Sequence, residues 1–168
     1  GKIEFHQLRL YEGLKFGKTK ITPFALDHPG GSFGYRFENG GKAIAIGVDG
    51  EYKRLTPEEL GRDLDYFQNL DLLTFDAQYE MSELASRFDW GHCSPNIGVD
   101  LALREGIRNV IFTHHDPWSS ATKIEKMYHT AQKHMRGQLT LHQETWDKLG
   151  QPEGPKLHAA YDGLRINL

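Results

Sequence analysis

The chain has 168 residues, of which 38% are apolar and 26% are charged, and these proportions are typical of a globular domain rather than of a disordered segment. Lysine and arginine are scattered, the net charge is −3 and the sequence pI is about 6.3, so a nucleic-acid partner is not expected. No apolar run reaches the roughly 18 residues of a membrane span, and residues 1–13 lack the features of a secretory signal, so no membrane association is expected.

The first third of the chain is predicted to form antiparallel strands. Apolar residues mark the segments 2–10 and 19–27 as strands. A glycine-rich turn within residues 38–42 then joins residues 35–37 to residues 43–48 as a hairpin.

From Thr56 the pattern becomes helical and then alternates. Thr56 as N-cap, Pro57 at the first helical position and apolar residues every three or four positions predict a helix that reaches Leu70. A short apolar strand ends at Asp76, and a serine N-cap and a terminal glycine then bound a helix over residues 94–106.

The last part of the chain repeats this alternation. An apolar strand reaches His114, and Asp116 with Pro117 predicts a helix that opens there and runs to about His134. Residues 148–156 are predicted to be a loop before a final strand. This order predicts an α/β fold with a mixed β-sheet and flanking helices, in a single domain over residues 1–168.

Three candidate site residues stand at the carboxyl ends of successive apolar strands. These are Asp49, Asp76 and His114, and such strand ends converge at the edge where layered α/β folds bind ligands. Taken singly, Asp49 is equally explained by an Asp-Gly turn, and His28, beside Pro29, by a turn of its own.

The pair His114–His115 is harder to explain as a strand end alone. A protonated imidazole is unfavourable beside a helix N-terminus, so a neutral, metal-binding histidine suits His114 better. Strand alternation sends His115 to the opposite face, and Asp116 is explained as an N-cap.

His92 precedes a helix N-terminus, where a general acid or a contact to a developing negative charge could be placed. Asp76 could orient its ring by accepting an N–H hydrogen bond. Cys93, the single cysteine, fits a buried thiol better than a nucleophile, because no motif places a base beside it. A single cysteine also favours a reducing compartment, so a cytoplasmic location is expected.

Five segments, taken together and in this order, resemble the metallo-β-lactamase superfamily: "DHPGGSFGYRFE", "AIGVDGE", "DLLTFDAQY", "GHCSPNIGVDLA" and "VIFTHHDP". They look most like its phosphodiesterase-like branch, which is related to the tRNA 3′-end-processing endonuclease. The resemblance implies metal ligation by His28, Asp49 and His114, with Asp49 bridging two ions. It also implies that His92 assists catalysis at the scissile phosphate, with Asp76 as its acidic partner.

The sequence departs from the family in two places. The histidine motif H-x-H-x-D-H, which precedes these segments in the family, is absent from the 168 residues, and "GVDGE" lacks the threonines that flank the family's aspartate. The chain therefore resembles the C-terminal half of an αββα sandwich, an incomplete domain. We expect either the missing N-terminal half as a partner or self-association, since an apolar face or a sheet edge would otherwise be uncovered.

The resemblance implies zinc, manganese or iron, with up to two ions in the complete fold. Three protein ligands are too few for two ions, so weak or absent metal binding is expected from this chain alone. The leading hypothesis is a metal-dependent hydrolase of a small or cyclic nucleotide-like phosphodiester. The alternative is a catalytically inactive fragment, sensor or scaffold that lacks half of the metal site.

Overall fold

The computed structural model describes residues 3–54 and 56–168, and its frame is a seven-stranded sheet with the strands in chain order. The strands are β1 (Leu14–Phe16), β2 (Thr19–Leu26), β3 (Ser32–Asn39), β4 (Lys42–Gly47), β5 (Leu72–Asp76), β6 (Asn109–Thr113) and β7 (Lys156–Ala159). Pairing is antiparallel from β1 to β4 and parallel from β4 to β7, which confirms the predicted mixed sheet.

Within the described residues, five α-helices and short 3₁₀ helices connect the strands from β4 onward. The helices are α1 (Pro57–Leu60), α2 (Met81–Leu84), α3 (Pro95–Glu105), α4 (Ala121–Leu139) and α5 (Gln143–Lys148). Among the described residues, no helix has both the length and the apolar composition that a membrane crossing needs.

The predicted hairpin is confirmed and has a two-residue turn. Gly40 and Gly41 have φ angles of 57° and 77°, and Asn39 pairs with Lys42 across them. Positive φ at both central positions defines the turn type whose twist matches two antiparallel strands, and glycine adopts it without steric cost.

One face of the sheet packs against α3 to form the core. Phe75 of β5 is fully buried, and a Cβ at Gly98 of α3 would lie 2.7 Å from its ring, so the glycine allows the helix to approach the sheet closely. Trp146 of α5 is also fully buried and donates its indole N–H to the carbonyl of Leu103 at 3.0 Å. Full burial of a large apolar side chain contributes about 1.5–3 kcal/mol, so these contacts fix α3 and α5 against the sheet.

The opposite face of the sheet is apolar and open to solvent in its antiparallel part. The side chains of Phe33 and Ile46 are 56% and 39% exposed. Tyr35 lies opposite Ile46 in the register, two residues along β3 from Phe33, so these three side chains share that face.

The prediction of a strand at residues 2–10 is wrong for the part described. Residues 3–10 form no strand, and residue 2 lies outside the described residues. The exposed fractions of Ile3 and Phe5 are 77% and 91%, so their alternating pattern has no buried surface to face. The first strand is instead the short β1 that follows this segment.

Two helix predictions need correction. Thr56 is the expected N-cap and forms a capping box with Glu59, but α1 ends after one turn at Gly61, whose φ is 54°, and the chain continues as a 3₁₀ helix. Asp116 does not open α4: it accepts the N–H of Trp118 in a turn, and the helix begins later, with Ser120 as its N-cap. Asp is equally suited to capping a turn and capping a helix, so the local pattern could not distinguish them.

Candidate active site

The strands β2, β4, β5 and β6 end at the same edge of the sheet, and each of these ends carries a candidate residue. β2 is antiparallel to β3 and β3 to β4, so β2 runs in the same direction as β4, β5 and β6. Their carboxyl ends therefore meet and bring together His28, Asp49, Asp76 and His114. His92 reaches the same place from the loop before α3.

Three imidazole rings surround the Asp49 carboxylate. The distances from its Oδ1 are 3.4 Å to His28 Nε2, 3.6 Å to His92 Nδ1 and 3.9 Å to His114 Nε2. The Asp49 and His114 side chains are 42% and 40% exposed, whereas His92 is 14% exposed. The site is therefore open to solvent on the side of Asp49 and His114 and closed on the side of His92.

Asp76 forms the closed floor of the site and is fully buried. Its carboxylate meets five donors: the backbone N–H groups of Gln78 and Cys93 at Oδ1, and at Oδ2 the backbone N–H of Asp49 with the Nδ1 atoms of His92 and His114. Both imidazole contacts measure 3.1 Å. One buried carboxylate thus orients two histidines at once.

The Asp76 contacts determine where the ring protons lie. A carboxylate only accepts hydrogen bonds, so His92 and His114 each carry a proton on Nδ1. In a neutral His114 ring this leaves the Nε2 lone pair directed to the Asp49 side, as metal ligation requires. The same hydrogen bond to Asp76 raises the pKa of His114 above its ordinary value, and partial burial opposes that rise.

His28 has the opposite arrangement. Its Nδ1 accepts the backbone N–H of Gly30 at 3.1 Å, which places the proton of the neutral ring on Nε2, facing Asp49. His28 can therefore bind an ion through Nε2 only after its proton moves and the Gly30 contact is given up.

Two site residues have left-handed backbone conformations. The φ angles of Asp49 and His114 are 64° and 58°. Such a conformation costs a non-glycine residue of order 1–3 kcal/mol and persists where the surrounding structure imposes it. Here the hydrogen bond from the Asp49 N–H to Asp76 holds the first of them.

The ring of His28 lies directly against Gly91. The φ of Gly91 is 87°, and a Cβ at this position would lie 2.2 Å from His28 Cδ2. Only glycine allows both the backbone conformation and the close approach of the imidazole.

Cys93 and His115, which follow His92 and His114 in the sequence, are placed as the sequence analysis expects. Cys93 is fully buried, and burial raises the pKa of its thiol well above the ordinary value, so it is not a nucleophile. His115 points away from the site, with its Nδ1 3.2 Å from the carbonyl oxygen of Ala77.

A cleft of about 380 Å³ opens beside His28, and Lys53 and Asp89 form part of its wall. The loops that carry His92 and His114 also expose Trp90 and Trp118, which are 59% and 94% accessible. The open side of the site therefore combines a polar cleft with exposed aromatic surface.

The donor set fits a metal ion. Asp49, Asp76, His92 and His114 each offer one ligand atom, and these atoms all lie within 4.8 Å of one another. Ligands of a tetrahedral zinc ion at about 2.0–2.2 Å lie about 3.4 Å apart, close to the separations of His28 and His114 from Asp49. Imidazole and carboxylate ligands suit zinc, manganese and iron, so the donors do not select among them.

One polar residue of the site was missed by the sequence analysis. Glu51 is buried, and its carboxylate accepts backbone N–H groups of Asp89 and Gly91, in the loop before His92. In the sequence it follows an Asp-Gly turn, where an acidic residue is expected at the surface, so no local signal marks it.

Comparison with protein-family models and with curated protein sequences finds no match. Solved structures do match. The metallo-β-lactamase fold protein YhfI from Bacillus subtilis is 15% identical with a TM-score of 0.67, and the match covers 94% of this chain and 53% of YhfI. The short form of human tRNase Z is 14% identical with a TM-score of 0.58, covering 92% of this chain and 45% of that protein.

The zinc-bound PqqB from Methylobacterium extorquens is 16% identical with a TM-score of 0.57, and the match covers 96% of this chain and 55% of PqqB. The chain thus spans about half the length of the structures it matches. With the sheet order and the site edge described above, these matches show that the chain has the metallo-β-lactamase fold.

Proposed function

We propose that this protein is a metal-dependent hydrolase that cleaves a small phosphodiester. The observation that carries the proposal is the convergence of His28 and His114 on Asp49, directly beside the buried pair of Asp76 and His92. Such a site combines metal ligands with a histidine whose protonation is controlled, and phosphoryl transfer needs both.

His28, Asp49 and His114 would hold the ion. His114 already presents an unprotonated Nε2 when its ring is neutral, Asp49 presents an exposed carboxylate, and His28 would join after its proton moves. When bound, the ion supplies Lewis-acid activation of water and of the phosphoryl group.

His92 would act as the proton donor. Asp76 holds its Nδ1–H, so when the ring carries two protons the one on Nε2 is available to the leaving oxygen. The same ring in its charged form would favour negative charge developing on phosphorus.

The substrate class follows from charge and from the rim of the site. The net charge of −3 disfavours a long polyanion and leaves a small or cyclic nucleotide-like phosphodiester as the better fit. Trp90 and Trp118 offer exposed aromatic surface on which a base could stack. We also propose a cytoplasmic location, in keeping with a single, buried cysteine.

Further ligands would have to come from outside the described site, either from the N-terminal half of the fold or from a second copy of the chain. A partner that covers the exposed face around Phe33 and Ile46 would bring its own residues close to the same edge of the sheet.

A non-catalytic protein of the same fold is the second candidate. It is favoured by the absence of the H-x-H-x-D-H motif from the sequence and by the proton on His28 Nε2, which opposes metal binding. Its histidines would then serve structure or sensing only.

Zinc and manganese binding, together with hydrolysis of bis(p-nitrophenyl) phosphate, separate the two candidates. We expect metal binding that is weak for this chain alone but saturable, that His114→Ala abolishes and that the matched control His129→Ala, an exposed histidine on α4, retains. His92→Ala should lower the metal-dependent rate by about 10²–10⁴-fold. Specific activity should rise with protein concentration if self-association completes the site.

A chain that binds no metal in excess zinc, or that binds it equally after His114→Ala, contradicts the hydrolase proposal. That result favours the non-catalytic alternative.

A further inference from the structure

Glu51 lies where three segments of the site meet. Its backbone N–H donates to the carbonyl of Asp27 at 2.8 Å, directly before His28. Its carboxylate accepts the N–H of Asp89 at 2.9 Å and that of Gly91 at 3.2 Å, directly before His92. Glu51 itself stands two residues after Asp49.

The carboxylate is held in one orientation. The Glu51 side chain is only 9% exposed, and Lys53 Nζ lies 3.5 Å from its Oε2. Lys53 also contacts the carboxylate of Asp89 and lies 4.7 Å above the ring of Phe88. Residues 51–53 thus hold the loop at residues 88–91 in place through two hydrogen bonds to its backbone, an ion pair and a cation–π contact.

These contacts between residues 51–53 and the loop determine the positions of two imidazoles. Gly91 lies directly against the His28 ring, so a shift of the loop changes the surface on which that ring rests. His92 is the next residue along the chain, and its Nδ1 must reach Asp76 over 3.1 Å.

We infer that Glu51 is a positioning residue that sets the orientation of both His28 and His92 through the backbone of residues 89–91. Its effect on the metal rests on the proposed function, whereas its effect on the two imidazoles does not. Residues that orient metal ligands from outside the ligand set change metal affinity by about 10–100-fold when they are removed.

The test compares Glu51→Ala and Glu51→Gln with Asp71→Ala. Asp71 is a matched control, because its carboxylate also accepts a backbone N–H, that of Ala43 at 2.9 Å, and pairs with Lys42. Asp71 stands directly before β5, at the opposite end of that strand from Asp76. Long-range ¹H–¹⁵N spectra of histidine-labelled protein report the tautomer and environment of each ring, and competition with a chelator reports zinc affinity.

In Glu51→Ala we expect the His28 and His92 signals to shift and zinc affinity to fall about 10–100-fold. Glu51→Gln keeps one acceptor oxygen, so it should show smaller changes of the same kind. Asp71→Ala should lose thermal stability but leave both signals and zinc affinity unchanged.

The inference is overturned if both rings keep their wild-type signals in the Glu51 variants while thermal stability falls as in Asp71→Ala. If Glu51→Ala does not fold, the Glu51→Gln spectra decide. If the wild-type protein binds no zinc, the proposed function fails, and the histidine spectra still decide the role of Glu51.

Discussion

Replacement of Asp76 by asparagine is the sharpest perturbation of this site, because it keeps the shape of the side chain and changes only its hydrogen-bonding capacity. The wild-type carboxylate accepts two backbone N–H groups at Oδ1, and at Oδ2 it accepts a third backbone N–H and two imidazole Nδ1–H groups. Asparagine has one acceptor oxygen and one NH₂ group. It keeps two of the five contacts by turning its oxygen to the backbone N–H groups of Gln78 and Cys93, with its NH₂ group to the side of Asp49, His92 and His114.

The cost of Asp76→Asn follows from what the NH₂ group then faces. The N–H of Asp49 loses its acceptor in a buried position, which costs about 1–3 kcal/mol. Loss of the charge-assisted contacts to the imidazoles adds roughly 1 kcal/mol. The free energy of unfolding should therefore fall by about 2–4 kcal/mol, as the sum of these estimates. His92 and His114 can remain bonded only by moving their protons from Nδ1 to Nε2.

Urea denaturation in the presence of EDTA measures the loss in free energy of unfolding. Long-range ¹H–¹⁵N spectra show whether the imidazole protons have moved from Nδ1 to Nε2. Asp100→Asn is a matched control, since Asp100 is 54% exposed and pairs with His134 at the surface. The control should lie within about 0.5 kcal/mol of the wild type. The reasoning is refuted if Asp76→Asn is as stable as this control, or if its imidazoles still carry their protons on Nδ1.

Three further predictions concern other parts of the molecule. Gly91→Ala should lower the free energy of unfolding in urea by at least about 2 kcal/mol and displace His28. Gly17→Ala should lower it by only about 1 kcal/mol, because Gly17 has a positive φ of 60° but an added Cβ would meet no described atom within 4 Å; equal losses would contradict the contact between Gly91 and His28. Burial lowers the pKa of His158, so the unfolded chain binds a proton more readily than the folded one, and the free energy of unfolding should fall as the pH drops from about 6.5 through the folded-state pKa. His158→Gln should lessen that fall, and a pH profile unchanged by the substitution would contradict this role of His158. Sedimentation velocity should detect self-association or a retained partner that Ile46→Lys weakens, and a well-behaved wild-type monomer at all concentrations would count against an interface on the open sheet face.

Much of the site's location could be predicted from the sequence, because it depends on strand direction. Asp49, Asp76 and His114 follow apolar runs separated by helices, and this pattern requires parallel strands whose ends meet. The hairpin was predictable for a similarly local reason, since two adjacent glycines allow its turn.

The contacts that control protonation could not be predicted in the same way. The N–H of Gly30 bonds to His28 and the carboxylate of Glu51 bonds to residues 89 and 91, and no periodicity in the sequence reports such pairings. The start of α4 was missed because the Asp116 turn and a helix cap use the same short-range hydrogen bond, and only packing decides between them.

Because His92 and His114 share one oxygen of Asp76, neither histidine can be adjusted alone. An ion on His114 would change the negative charge that Asp76 presents to His92, and a proton gained by His92 would change the attraction of His114 for the ion by the same free energy. Ion loading and acid strength would then be reciprocal quantities rather than separate properties. A substitution at position 76 would alter both quantities directly, whereas a substitution of either histidine would act on the other one through Asp76.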